Sequence, residues 1–241
     1  MQKFNPRGLG ADMTACFTNY NRTDLLFAAV EPFLADDRIS EIVISDDCSN
    51  ANLFAEVQAK YSLTAKVKIF RNEETLDCYR NKRQAVKHAT SEWVFLLDSD
   101  NIFSKEFIDV IFSQKPFNIT WAYAPEFARP HFNFTRLSGT AISRNNVASL
   151  LDIGSCSTML NAMNYFVNRD EFLRVWDGSK DPVTSDSLFH NYNWLKAGNS
   201  VYVTPGLQYE HRIHNGSHYQ QNHRRTPQGF HDGLINKLRQ L

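Results

Sequence analysis

The sequence has no charge excess. Its 241 residues carry 26 Lys+Arg against 26 Asp+Glu, a formal net charge of zero. A general nucleic-acid binder needs a basic surplus to neutralise phosphates, so that class is set aside. Long apolar runs are missing too. The longest, such as Trp93–Leu97, fall far short of the roughly 20 residues that span a bilayer. Met1–Asp12 lacks the apolar stretch of a signal peptide, which leads us to expect a cytoplasmic protein. Cys16, Cys48, Cys78 and Cys156 form no C-x-x-C pair. A chain of this length needs no disulfide staples, so all four read as reduced. The N-x-S/T sequons at Asn21, Asn118, Asn133 and Asn215 then read as chance matches. There is no internal repeat and no low-complexity tract.

Apolar residues make up 42% of the chain and aromatics 13%, including 18 Phe, enough for a sizeable core. Such a composition excludes a long disordered chain. The length suits one large domain or two small ones.

The N-terminal half alternates regularly. Met13–Thr18, Glu41–Ser45, Val67–Phe70 and Trp93–Leu97 read as strands. Thr23–Leu34, Ala51–Lys60 and Leu76–His88 read as helices, from apolar residues at helical spacing or a strongly charged run. Strands alternating with helices predict an α/β fold with a mostly parallel central sheet flanked by helices. Ligands of such sheets bind at the carboxyl ends of the strands. Four polar clusters fall at those ends: Asn19–Arg22, Asp46–Asn50, Asn72–Glu74 and Asp98–Asn101.

After about Ser104 the pattern is irregular. Phe107–Phe112, Asp170–Trp176 and Ser185–Lys196 read as helices. Ile119–Tyr123, Ala162–Val167, Ser200–Val203 and Leu207–His211 read as strands, the last two separated by Thr204-Pro205-Gly206. Pro125–Ser143 reads as loops lining a cleft. Gln220–Leu241 carries Arg224, Arg225, Lys237 and Arg239 against Asp232 alone, and Leu234, Ile235 and Leu238 fit a short amphipathic helix. Packing on the domain is the default for that helix; covering the site or touching an anionic membrane surface are the alternatives.

Asp98-Ser99-Asp100 ends the fourth strand. Residues i and i+2 of a strand point the same way, and paired carboxylates suit Mg²⁺ or Mn²⁺, which prefer oxygen ligands. Asp46-Asp47 has two readings, as helix caps or as acceptors for a base or a ribose hydroxyl. Asp186 reads as a helix-opening acid, and Asp181, before Pro182, as a residue of an extended loop. Eight histidines are present, five of them from His211 onward, but no H-E-x-x-H accompanies them and zinc is disfavoured.

Phe17–Arg22, Ile42–Ser49, Arg80-Asn81 and Phe95–Asn101 come in an order and spacing that resemble the GT-A glycosyltransferases of family 2. The stretches Ser185–Ser187, Lys196–Gly198 and Tyr202–Ser217 resemble the acceptor-side end of that family. The chain departs from the pattern at Cys48, where Gly is common, at Ser185, where an acid often precedes the base, and in Asn72–Tyr79, which lacks the usual Gly.

The resemblance implies a single Rossmann-like GT-A domain over 1–241. Its parts would be a nucleotide-sugar half at about 13–112, an irregular acceptor-binding half at about 113–217 and a basic tail at 218–241. It implies a metal-dependent, inverting transfer of a hexosyl or N-acetylhexosaminyl group from a UDP- or GDP-linked donor to a glycan, lipid-linked or protein acceptor, in polysaccharide synthesis in the cytoplasm or at the inner face of a membrane. Thr18, Asn19, Tyr20, Arg22, Asp46, Asp47, Arg80, Asp98 and Ser99 would hold the donor. Asp100, Asp98 and His211 would hold Mn²⁺ or Mg²⁺, with His214 as substitute for His211. Asp186 would be the base, with Asp181 as its rival; Asn164, Tyr165 and Arg169 would form an acceptor wall, and Trp121, Tyr123 and Phe127 would stack on a sugar or lie in the core. A sugar nucleotidyltransferase and a non-catalytic nucleotide-sugar-binding module are the alternatives; the first usually opens with a Gly-rich loop, which Asn19–Arg22 is not.

Overall fold

The computed structural model describes residues 13–176, 185–214 and 229–241. Asp181, Asn215, His218, His223, Arg224 and Arg225 lie outside the described residues.

The first four strands are β1 (Met13–Asn19), β2 (Ile39–Asp46), β3 (Val67–Arg71) and β4 (Trp93–Asp98). They pair in parallel in the order β3-β2-β1-β4. Their side chains alternate between two cores, as a period of two requires. Met13, Ala15, Phe17, Ile42, Ile44, Phe95 and Leu97 face one way; Cys16, Val43, Val94 and Leu96 face the other. Helices α1 (Thr23–Leu34), α2 (Ala51–Tyr61) and α4 (Lys105–Ser113) cover the first face through Phe33, Val57 and Phe107. Phe33 lies edge-on to Phe17, Phe95 and Phe103 at 5.3–5.8 Å. Such aromatic contacts are worth about 0.5–1.5 kcal/mol each beyond the buried area.

The opposite face takes α3 (Asp77–His88), α7 (Arg169–Val175) and α8 (Asp186–Lys196), through Val86, Phe172 and Trp194. A final helix, Phe230–Leu238, packs on α8 and buries Leu234 and Leu238 in the same core. Phe230 and Ile235 pack, partly buried, against that core as well. Among the described residues no helix is long and apolar enough to cross a membrane.

Beyond β4 the sheet continues as β8-β5-β9-β7, with β5 (Trp121–Arg129), β7 (Ala141–Ser143), β8 (Tyr165–Asn168) and β9 (Ser200–Glu210). A two-residue strand, β6 (Phe132–Asn133), pairs with β5. Strand β8 runs antiparallel to β4, and β9 runs parallel to β5. The parallel character predicted for the sheet therefore belongs to its first half and to β5–β9.

Two expectations change here. Pro125 does not open a loop; it lies within β5 at a register shift opposite Thr204. For the same reason Thr204-Pro205-Gly206 does not divide two strands. Gly206 takes a φ of +77°, which glycine tolerates, and its N–H donates to Glu126 Oε1 at 2.9 Å, so one strand runs on through the bulge.

At the amino-end edge of the parallel strands a second polar knot forms. Buried Glu41 accepts from Thr14 Oγ1 at 2.6 Å, Thr90 N at 2.8 Å and Thr90 Oγ1 at 3.0 Å, and pairs with Lys68. The knot ties β1, β2, β3 and the turn before β4 together.

Candidate active site

The loops at the carboxyl ends of β1 and β2 are locked to each other. Asp46 is fully buried; its carboxylate accepts from Ser49 N at 2.9 Å, Ser49 Oγ at 2.6 Å and Asn19 Nδ2 at 3.1 Å. Asn21 N donates to Ser49 Oγ and Asn50 N to Asn21 Oδ1, both at 2.8 Å. Asp46 is thus a loop anchor and not an open contact for a nucleoside.

Asp47 also has a structural task. It accepts from Asn72 Nδ2 at 2.9 Å, Leu76 N at 2.8 Å and Asp77 N at 3.1 Å. It therefore satisfies orphan N–H groups at the start of α3, not of the next helix in sequence. Burial pushes its carboxyl up, against the pull of the N–H groups.

Arg80 was the basic residue expected near the nucleotide. Its Nε donates to Leu76 O at 2.7 Å, within its own helix, and its head is partly exposed beside Asp77. The cation that reaches the strand end is Lys82. Its Nζ is buried, 2.9 Å from Asp186 Oδ2 and 3.5 Å from Asp98 Oδ1. Burial alone would lower the lysine pKa, but the two carboxylates outweigh it and hold the ammonium well above its ordinary range. Lys82 escaped the sequence reading because α3 carries Arg80, Lys82, Arg83, Lys87 and His88, and such a helix looks solvated.

Asp98 ends β4, and Asp100 lies in the turn just after it, where the two carboxylates meet different partners. Asp98 N donates to Asn164 Oδ1 at 2.9 Å. Burial pushes the Asp98 carboxyl up; Lys82 opposes it, while Asp100 and Asp186 add to it. Asp100 Oδ2 lies 2.8 Å from Arg22 Nη1 and 3.1 Å from His214 Nε2. Burial would raise this carboxyl, but His214 and Arg22 outweigh it and hold it below the usual range. Arg212 braces the same turn by donating to Asp100 O at 2.6 Å, Leu25 O at 3.1 Å and Asn101 O at 3.2 Å.

The expected metal set of Asp98, Asp100 and His211 is not assembled. Among the described residues no three His, Cys, Asp or Glu side chains gather to hold an ion by themselves. His211 points instead toward Phe132 and His131, at ring distances of 5.2 and 5.9 Å. Its Nδ1 is buried with no hydrogen-bond partner among the described residues, and burial lowers its pKa. The imidazole against Asp100 is His214. One carboxylate and one imidazole fit a divalent cation that completes its shell with substrate phosphates and water, so the donors present fit the ion the resemblance implies.

The remaining donor-side residues line the same edge. Tyr20 is 45% exposed, whereas Asn19 and Ser99 are buried. Thr18 O accepts from Ser99 N at 3.3 Å, which ties β1 to the turn after β4.

The acceptor wall comes apart. Asn164 sits on Asp98, but Tyr165 is 2% exposed, with its OH accepting from Asn191 Nδ2 at 2.7 Å. Arg169 lies at the far edge, because β8 runs antiparallel to β4 and its backbone N–H reaches Glu92 O. Of the candidate stacking rings, Tyr123 is core and Trp121 stacks on Tyr202 at 4.4 Å.

Residues 14–114 match the family model described as glycosyl transferase family 2. This segment is similar to glycosyl transferase family 2. The fold around it is GT-A. A mannosyltransferase, PcManGT from Pyrobaculum calidifontis with GDP-Man and Mn²⁺, superposes with a TM-score of 0.62 at 13% identity, over 88% of this chain and 60% of that one. S. aureus TarS 1–349 with UDP-GlcNAc gives 0.65 at 15% identity, over 86% and 60%. This chain thus spans about 60% of the length of either structure. No curated protein matches it in sequence. The family 2 segment holds Asp46, Asp47, Lys82, Asp98 and Asp100. Asp186 and His214 come from beyond it, and the fold returns both to its edge.

Proposed function

We propose that the chain is an inverting glycosyltransferase that moves a hexosyl or N-acetylhexosaminyl group from a UDP- or GDP-linked donor to an acceptor hydroxyl. The acceptor would be a glycan, a lipid-linked glycan or a protein, in a cytoplasmic setting. One observation carries this reading. Asp186, on the acceptor side, and Asp98, at the end of the fourth parallel strand, share the buried ammonium of Lys82. A candidate base thus stands beside the D-x-D turn.

An inverting transfer needs a base opposite the leaving group. Asp186 would take the acceptor hydroxyl proton onto a carboxylate oxygen. The N-terminus of α8 favours the charged form of a carboxylate placed there. Asp100 and His214 would hold Mn²⁺ or Mg²⁺, which acts when bound as a Lewis acid toward the leaving diphosphate. Arg22 would turn from Asp100 to a phosphate oxygen, as guanidinium suits that geometry. Tyr20, open at this edge, would lie against the base.

The test is a panel of UDP- and GDP-sugars, hexoses and N-acetylhexosamines, incubated with the chain and Mn²⁺, with and without EDTA. Release of nucleoside diphosphate that EDTA abolishes is the expected result. Formation of nucleoside triphosphate from donor and pyrophosphate would identify a nucleotidyltransferase. Saturable binding with no turnover would leave a binding module.

A further inference from the structure

We infer that Lys82 is a positioning residue that aims the Asp186 carboxylate and ties it to the Asp98 strand end. The inference rests on the proposed role of Asp186 as base. Lys82 projects from the middle of α3, a helix of the nucleotide half, while Asp186 opens α8 of the other half. Their contact at 2.9 Å is a direct link between the two halves at the site, and the second contact, to Asp98 at 3.5 Å, makes it a three-point link.

Stability does not account for this arrangement. Burying an ammonium between two carboxylates carries a desolvation cost for all three groups, and an apolar cluster of similar volume is often at least as stable. The chain nevertheless places the trio where chemistry is expected. Tyr79, also on α3, is 1% exposed and stacks on Trp176 at 3.8 Å. The α3 backbone is thereby fixed, and so is the point from which Lys82 reaches out.

The residue type is informative as well. An ammonium is a compact charge with three donors on a flexible stem, whereas guanidinium is a rigid planar fork. A lysine therefore serves two carboxylates on different elements without demanding that they be coplanar. Lys82 touches Asp98 of the D-x-D turn as well as Asp186, so nucleotide affinity, read beside turnover, separates an effect through the base from one through the donor side. A lost aim at the base lowers turnover, because misplacing a reacting group by about 1 Å costs on the order of 10²-fold.

The experiment compares Lys82→Met, Asp186→Asn and the double variant. Turnover is read as nucleoside-diphosphate release, and donor affinity by calorimetry with the unreactive nucleoside diphosphate and Mn²⁺. Expected for Lys82→Met is a kcat about 10–10²-fold lower with nucleotide affinity within about threefold. In the double variant the loss should equal that of Asp186→Asn alone, since residues acting as a unit are not additive. Lys82→Arg, which keeps the charge and guards against a Met variant that fails to fold, should fall between wild type and Lys82→Met.

Three outcomes would overturn the inference: unchanged kcat in Lys82→Met, multiplied losses in the double variant, or wild-type kcat in Lys82→Arg where the Met variant does not fold. If the wild-type chain releases no diphosphate from any donor, the glycosyl-transfer reading fails first and takes this one with it. Wild-type turnover with unaffected Lys82 variants sinks this one alone.

Discussion

Arg22 Nη1 and His214 Nε2 converge on one atom, Oδ2 of Asp100, from opposite ends of the chain, at 2.8 and 3.1 Å. A cation arriving at that carboxylate competes with the guanidinium already there. Arg22→Ala should therefore strengthen Mn²⁺ binding to the nucleotide-free protein by about tenfold, roughly 1.4 kcal/mol. The same variant should weaken nucleoside-diphosphate binding, because a phosphate partner is lost. Mn²⁺ titrations with and without UDP or GDP would show the two effects crossing. Parallel changes in both would refute the competition.

Asp186→Asn keeps the shape of the side chain and removes its basicity. Turnover should drop by about 10²–10⁴-fold, while nucleotide affinity stays within about threefold. Steady-state kinetics paired with calorimetry separate the two quantities. Undiminished turnover would reject Asp186 as base.

The two histidines after β9 differ in their surroundings, and their variants should differ likewise. His214→Ala removes the imidazole beside Asp100 and should raise the Mn²⁺ concentration needed for half-maximal nucleotide binding by about tenfold. His211→Ala leaves the Asp100 contact intact, since that ring lies among Phe132, His131 and Tyr209. It should change the Mn²⁺ requirement by less than about threefold. A larger effect at His211 would move the ion to that side of the turn.

Glu41 sets an acid limit. Burial would raise its carboxyl, but Lys68, Thr14 and Thr90 outweigh it and hold the folded-state pKa below the ordinary 4.5. A depressed carboxylate contributes stability above its unfolded value and loses it as pH falls through the folded value. The Tm should therefore decline from about pH 5 downward, and Glu41→Gln should flatten that decline while lowering stability at neutral pH by about 1–3 kcal/mol. Thermal melts of both proteins from acid to neutral pH would decide it; identical acid slopes would discard the assignment.

Cys48 stands with φ of +62° in the loop after β2. The left-handed region costs an ordinary residue roughly 1–2 kcal/mol, while glycine adds about 0.5–1 kcal/mol of chain entropy. Cys48→Gly should thus stabilise the fold by about 0.5–1 kcal/mol, raising the Tm by about 2 °C. A lower Tm would mean that the Sγ contact with Glu73 O, at 3.6 Å, matters more than the backbone strain.

How much of this was legible in the sequence depends on where the signal lay. The first four strands and their helices carry short apolar runs and helical spacing, both local, and α1 spans Thr23–Leu34 as its periodicity predicts. Asp98 and Asp100 were legible because a D-x-D at a buried strand end is also local. Lys82 was not, since its burial depends on α8, about a hundred residues away. Asp46 and Asp47 looked like ligand contacts because loop anchors and ligand contacts use the same acids; only their partners tell them apart. Strand β9 reads as two because Pro205 and Gly206 form its bulge opposite Glu126 of β5, and Pro-Gly looks the same in a bulge as in a turn.

Strand β4 is the seam of the sheet. Its Trp93–Leu96 backbone pairs in parallel with β1 on one side and antiparallel with β8 on the other, and its five residues before Asp98 are all buried. A fragment ending near residue 114 would keep every strand of the family 2 segment but expose β4 as an unprotected apolar edge. Such an edge is a template for self-association. The segment that matches the family model is therefore the one that should not be expressed alone: it would aggregate through the strand that leads into the D-x-D.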